Sequence, residues 1–182
     1  MSKLLIFGIL TLLITIVSRR TLFNTKSHGF YRYFSWIGIA LLMASNYKNW
    51  FLAPFSVNHL ISWILLFYST YIAIAGFILL IRKGKPGSSR KDVHLFSFEK
   101  TTELIDTGVF KYTRHPLYAS LIFLTWALLM KNPTPILSAV AFLSTIFLYF
   151  CSRYDEKECI QYFGSAYEDY MKRTKMFIPF IF

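Results

Sequence analysis

Five stretches of this chain carry no charged side chain, at residues 4–17, 33–44, 60–81, 117–130 and 135–151, and the charged residues gather between and beside them. A helix crossing a bilayer perpendicularly needs roughly 20 apolar residues. Only the third run meets that length, so the others predict helices that tilt, borrow interfacial residues or sit in thinned bilayer. The second run is the weakest. It breaks into Ser45, Asn46, Tyr47, Lys48 and Asn49, and the aromatic stretch at 50–55 reads as a segment lying in the interface. Residues 131–135 leave room only for a tight turn, which predicts an antiparallel hairpin of the fourth and fifth runs.

Composition supports lipid as the solvent: of 182 residues 55% are hydrophobic, 19% aromatic and 16% charged, and a soluble domain needs more polar surface than that. Twenty Lys and Arg against nine Asp and Glu give a net charge of +11. In a soluble protein this would suggest nucleic acid, but membrane proteins concentrate the same residues in cytoplasmic loops. With the first run leading inward, only Lys3, Lys48 and Lys131 fall outside and the other 17 basic residues fall inside. The charge is thereby explained by topology: five spans, N-terminus outside, C-terminus cytoplasmic, and no nucleic-acid partner. Arg19 and Arg20 stand where a signal peptidase would need small residues, so the first run reads as an anchor. The ending Phe180, Ile181 and Phe182 carries no lipidation signal.

All nine carboxylates, from Asp92 to Asp169, also fall on the inner side. A proton-coupled carrier usually needs an ionisable group within the membrane, so the chemistry is expected at the cytoplasmic face. There, residues 83–89 read as a linker; no phosphate loop and no G-x-G-x-x-G is present. His28, His59, His94 and His115 are scattered without metal-ligand spacing. Cys151 and Cys159, eight apart on one helix, would lie ~12 Å apart by helical rise, beyond disulfide reach.

Arg114, His115, Pro116, Leu117 and Tyr118 head the fourth run. Arg114 suits an inner flank and Pro116 a first helical position, while His115 and Tyr118 serve equally as interfacial anchors or as a site. Thr107 and Gly108 form a turn whose backbone could face a ligand. Beyond the fifth run, Cys159, Ile160, Phe163, Tyr167, Tyr170 and Met171 make an amphipathic stripe, predicting a helix laid against the membrane face. Asp155 and Glu156 are most simply its solvated face.

Taken together, LIDTGVFKYTRHPLY at 104–118 and DEKECIQYFGSAYEDY at 155–170, with Pro179 after them, resemble the membrane-embedded isoprenylcysteine carboxyl methyltransferases and phospholipid methyltransferases. The resemblance covers the C-terminal half, 82–182, in order and spacing, whereas residues 1–81 contribute only hydrophobic spans to a single domain of 1–182. It implies an all-α polytopic membrane fold whose cytoplasmic pocket, built from the loop before the fourth helix and a C-terminal amphipathic helix, binds S-adenosylmethionine. The implied cofactor contacts are Thr102, Glu103, Leu104, Ile105, Phe110, His115, Pro116, Leu117, Tyr118 and Asp155, and the implied catalytic residues are Arg114 and Glu156. The implied partner is a lipophilic or lipidated acceptor carrying a carboxylate, amine or thiol, amid membrane lipids; the alternative is a non-catalytic scaffold or carrier. The chain departs from the family pattern in having Phe110 for Tyr, Asp155 for Glu, and Cys151 where the isoprenylcysteine enzymes have a substrate-contacting Arg. Arg153, the nearest cation in the sequence, is ~200° around the helix from that position.

Overall fold

The computed structural model describes residues 2–87 and 96–182. Arg90, Lys91, Asp92, His94 and the end of the expected linker lie outside the described residues. Six helices account for most of the rest: α1 (Lys3–Ser18), α2 (His28–Asn46), α3 (Val57–Gly84), α4 (Pro116–Met130), α5 (Pro135–Phe163) and α6 (Ser165–Arg173). Short 3-10 turns occupy Ser97–Glu99 and Gly108–Lys111. Among the described residues the only β pairing is an isolated bridge between Thr113 and Lys175. The all-helical class expected from the sequence is what the chain adopts.

Side-chain oxygens fix several helix starts. Ser2, Ser27 and Thr134 accept hydrogen bonds from the amides of Leu5, Gly29 and Leu137, satisfying donors that a first turn leaves open. Pro116 and Pro135 occupy first helical positions, where their missing amide costs nothing. The Ser27 cap starts α2 five residues before its apolar run, so its first turns are polar.

The amphipathic stripe from Cys159 to Met171, expected as one helix against the membrane face, is divided between two helices. The fifth apolar run continues as helix through Phe163, giving α5 29 residues, or ~44 Å, well beyond the ~30 Å hydrocarbon core of a bilayer. It stops at Gly164, whose φ of 61° ends the helical path. Only the short α6 is a separate amphipathic helix, and its buried residues are Tyr167 and Tyr170.

The most extensive helix contacts pair α3 with α4 and α2 with α5, while α1 packs on α2. Small and hydroxylated residues draw these helices together. Ser62 and Ser69 of α3 donate to the carbonyls of Ala127 and Ser120 on α4, both at 2.7 Å, and Asn46 of α2 donates to Leu128 O at 2.9 Å. Such bonds matter in lipid, where no water can replace them. A Cβ at Gly38 would overlap Ser144 Oγ, so only glycine lets α2 approach α5 this closely.

α3 and α5 are long and apolar enough to cross a membrane; α1 and α4 are shorter apolar helices. Leu4, Leu12, Ile64, Phe67, Phe142 and Leu143 all face outward from the bundle. So extensive an apolar exterior suits a lipid environment better than water.

Candidate active site

The loop before α4 is held by the chain's last segment. The Arg114 amide donates to Lys175 O at 2.8 Å, the His115 amide to Met176 O at 3.2 Å, and the Lys175 amide to Tyr112 O at 3.1 Å. These bonds place Arg114 and His115 beneath the end of α5. On the other side, Gly84 O accepts from the amides of Thr102 and Glu103, and Thr102 Oγ1 donates to Lys85 O at 2.8 Å. The Tyr170 hydroxyl on α6 donates to Phe110 O at 2.6 Å, closing the ring of segments.

Charged side chains fill the space between. Arg114 donates from Nε to Glu156 Oε1 at 2.9 Å and from Nη1 to the carbonyls of Thr174 and Met171. Arg153 donates to the other Glu156 oxygen at 2.8 Å. His115 Nδ1 lies 3.3 Å from Asp155 Oδ2. Its Nε2 is 3.5 Å from Glu156 Oε1 but makes no hydrogen bond. The acidic pair is therefore not a solvated face: Glu156 is 2% exposed and paired on both oxygens.

Electrostatics follow from this packing. Burial opposes charge on His115, but Asp155 and Glu156 outweigh it and hold the imidazole above its usual range. Burial likewise opposes ionisation of Glu156, yet His115 and Arg114 keep its carboxyl below the usual range.

α2 forms the remaining wall, which corrects the expectation that residues 1–81 contribute hydrophobicity alone. His28, Arg32 and Trp36 recur every four residues and so share one helix face. His28 Nδ1 lies 2.8 Å from Glu158 Oε2, and its Nε2 lies 3.6 Å from Glu99 Oε2. Arg32 Nη1 donates to Glu99 Oε1. The guanidinium carbon is 4.1 Å from the Phe96 ring centroid and 5.2 Å from that of Trp36. Burial opposes charge on His28, but Glu158 and Glu99 raise its pKa to about 10. His28, Asp155 and Glu158 each bring a ligand atom within 4.8 Å of the others, and His28 Nδ1 is already paired with Glu158 there.

These segments enclose a cavity of about 490 Å³. Of the site residues expected from the sequence, Glu103, Leu104, Ile105, Phe110, Arg114, His115, Pro116, Leu117, Tyr118 and Asp155 line it. Thr102 and Glu156 do not: Thr102 is tied to the end of α3, and Glu156 stands behind Arg114 and His115. Arg32, Trp36, Phe77, Phe96, Glu99 and Tyr167 also line the cavity and were not expected to. The four-residue spacing of His28, Arg32 and Trp36 was the available signal for the α2 residues. Cys151 is wholly buried in the core beside Tyr118, and Arg153 is held by Glu156; neither lines the cavity. Both cysteines are free thiols.

Comparison with known proteins bears on this arrangement. A sequence model described as phospholipid methyltransferase matches residues 59–166. The chain is 36% identical over 101 residues to a probable protein-S-isoprenylcysteine O-methyltransferase of Oryza sativa subsp. indica, covering 52% of this chain and 50% of that protein. It is 35% identical over 96 residues to the protein-S-isoprenylcysteine O-methyltransferase of Saccharomyces cerevisiae, covering 48% and 38%. A third relative, methanethiol S-methyltransferase 1 of Bradyrhizobium diazoefficiens, is 31% identical over 118 residues, covering 64% and 38%. The matches to these three relatives span half of their length or less. No solved structure matches. With the matched segment running through α3, the loop before α4, the α4–α5 hairpin and the acidic end of α5, the chain belongs to the phospholipid methyltransferase family.

Proposed function

We propose that this protein is an S-adenosylmethionine-dependent methyltransferase acting on a lipophilic acceptor at the cytoplasmic face of a membrane. In this reading α1 to α5 all cross the bilayer, with the N-terminus outside and the C-terminus inside. The observation that carries it is convergence: nine residues between Glu103 and Tyr118 line one cavity with Asp155, far away in sequence. The matched relatives bear methyltransferase names, and none favours a non-catalytic scaffold.

The residues present suit the cofactor. The cavity volume falls within the ~300–1,000 Å³ of typical small-ligand sites. His115 Nε2 is a buried nitrogen without a hydrogen bond; protonated, it donates to a carboxylate or hydroxyl oxygen. Asp155 supplies a carboxylate for an ammonium or hydroxyl. Ile105, Phe110 and Leu117 give an apolar wall for a flat base. When bound, the cofactor would supply an electrophilic sulfonium methyl for an acceptor lone pair, with a neutral thioether as the leaving group.

This chain's own task is mostly placement. Asp155 fixes the His115 ring through Nδ1. Glu156 locks Arg114, which braces the loop against the carbonyls of Thr174 and Met171. Arg114 and Glu156 thus act as positioning residues, their charged groups being engaged with each other. The aromatic walls exclude water, which strengthens each electrostatic contact inside. For an amine acceptor, Asp155 is the cavity-lining carboxylate placed to take its proton.

Calorimetry of S-adenosylmethionine binding to the purified protein in nanodiscs tests the reading. We expect binding, weakened in His115→Ala and Tyr118→Phe by ~1–3 kcal/mol for each lost buried polar contact. An absence of binding in folded wild type would refute the proposal, and unchanged affinity in both variants would return these residues to interfacial anchoring.

A further inference from the structure

The relatives leave the acceptor open, since their names cover both an oxygen and a sulfur nucleophile. Three observations about the α2 wall narrow it. Arg32 is 2% exposed, lines the cavity, and has a buried Nε without a hydrogen-bond partner. Burying a guanidinium with a donor unused is costly unless something else binds there. The group is also braced from two sides, by Glu99 on Nη1 and by the Phe96 and Trp36 rings. A braced guanidinium loses little freedom on taking a second anion.

The third observation is the charge of the cluster. His28, Arg32, Arg114, His115 and Arg153 face Glu99, Asp155, Glu156 and Glu158. The carboxylate partners of both imidazoles favour their protonated form, and with both protonated the cluster carries one positive charge in excess. S-adenosylmethionine is itself a net cation, so loading it without an anion would place like charges together in a poorly hydrated space.

We propose that Arg32, held by Glu99, binds an anionic group of the lipophilic acceptor and so selects acceptors that carry one. Arg32 precedes the segment matched by the family model, so this specificity element belongs to α2. The inference rests on the methyltransferase reading for the word acceptor, but its test reads binding directly. The anion is either a carboxylate, which would itself be the nucleophile, or a phosphodiester beside an amine.

The test compares ligands matched in their tails, using intact protein in nanodiscs and Trp fluorescence as the readout. An N-acetyl-S-farnesylcysteine acid is set against its methyl ester, and a lysophosphatidylethanolamine against the corresponding monoacylglycerol. In wild type the anionic member of one pair binds about tenfold or more tightly, as one charge-assisted hydrogen bond would give. Arg32→Gln abolishes that preference and Arg32→Lys restores part of it, while S-adenosylmethionine still binds both variants, more tightly in Arg32→Gln because the excess positive charge is gone. The pair that responds identifies the anion. Equal binding within both pairs in wild type, or a preference that survives Arg32→Gln, overturns the proposal. Parallel loss of acid, ester and cofactor binding that Lys does not rescue also overturns it, by showing a structural role. Absence of cofactor binding in wild type would refute the methyltransferase reading alone, leaving the anion preference to be judged from the paired ligands.

Discussion

Replacing Glu156 by Gln separates two roles that the sequence could not distinguish. The family resemblance implies a catalytic carboxylate, whereas the structure places Glu156 behind the cavity wall with one oxygen on Arg114 Nε at 2.9 Å and the other on Arg153 at 2.8 Å. Gln keeps the shape and one acceptor oxygen but removes the charge that compensates a nearly buried guanidinium. Charge-assisted hydrogen bonds contribute about 1.5–3 kcal/mol, and the Arg153 bond, half exposed, adds little. We expect Glu156→Gln to destabilise by about 2 kcal/mol, or roughly 4–8 °C in Tm for a chain of this size. Glu156→Ala, which leaves Arg114 unpaired, should cost about 3–5 kcal/mol. The assay is thermal unfolding in nanodiscs followed by a thiol-reactive dye at buried Cys151, alongside cofactor affinity and single-turnover methyl transfer. A positioning role gives a lower Tm, with methyl transfer reduced to the degree that His115 and Arg114 shift. An unchanged Tm with methyl transfer abolished would refute this reasoning and put the Glu156 carboxylate on the reacting atoms.

Three further outcomes are expected. Tyr170→Phe removes the 2.6 Å bond to Phe110 O, and should cost about 1–3 kcal/mol, because a buried carbonyl is left without that donor; a Tm equal to wild type would show that water or another donor replaces it. His28, with a pKa raised to about 10 in the folded protein from an ordinary 6.5, contributes stability that is complete below pH ~6.5 and lost as pH rises through about 10. The difference in Tm between wild type and His28→Gln should therefore shrink from pH 6 to pH 10.5, and a constant difference would contradict the ion pairs. Cysteines introduced at exposed Asn132 and Lys172 should be labelled by a membrane-impermeant reagent from opposite sides of oriented vesicles; labelling of both from one side would reject the proposed topology.

The sequence was most legible where structure depends on local chemistry. Uninterrupted apolar runs located α1, α3, α4 and the start of α5 within a few residues, because turn residues or charges bound them. The tight turn at 131–134 follows from Pro133 and Pro135. α2 was harder because its first turns are polar: His28 and Arg32 face carboxylates on other segments, so no apolar period marks them. The continuation of the fifth run as helix past Cys151 was legible, but the break at Gly164 was not, because an amphipathic stripe reads the same across one helix or two. The site residues expected in the motifs at 104–118 and 155–170 include nine that line the cavity, and Glu103, just before the first motif, is a tenth. The motifs could not reveal that Glu156 faces away, since adjacent residues of a helix point ~100° apart and the pocket's direction depends on how α5 is rotated in the bundle.

The backbone pairing of residues 112–115 with 174–176 also sets an order of events during synthesis. α4 and the α4–α5 hairpin can insert as soon as they emerge, but Arg114 and His115 lack their amide acceptors on Lys175 and Met176 until some sixty more residues have been made. Until then the loop before α4 has one edge unpaired, and Arg114, even with Glu156 already made, lacks the Thr174 carbonyl that holds its Nη1. A chain ending before Thr174 would thus carry all five apolar helices but lack the backbone pairing that closes the charged cluster around Arg114. The pocket can therefore close only after α1 to α6 have all been made, because its backbone partners at Lys175 and Met176 follow them in the chain.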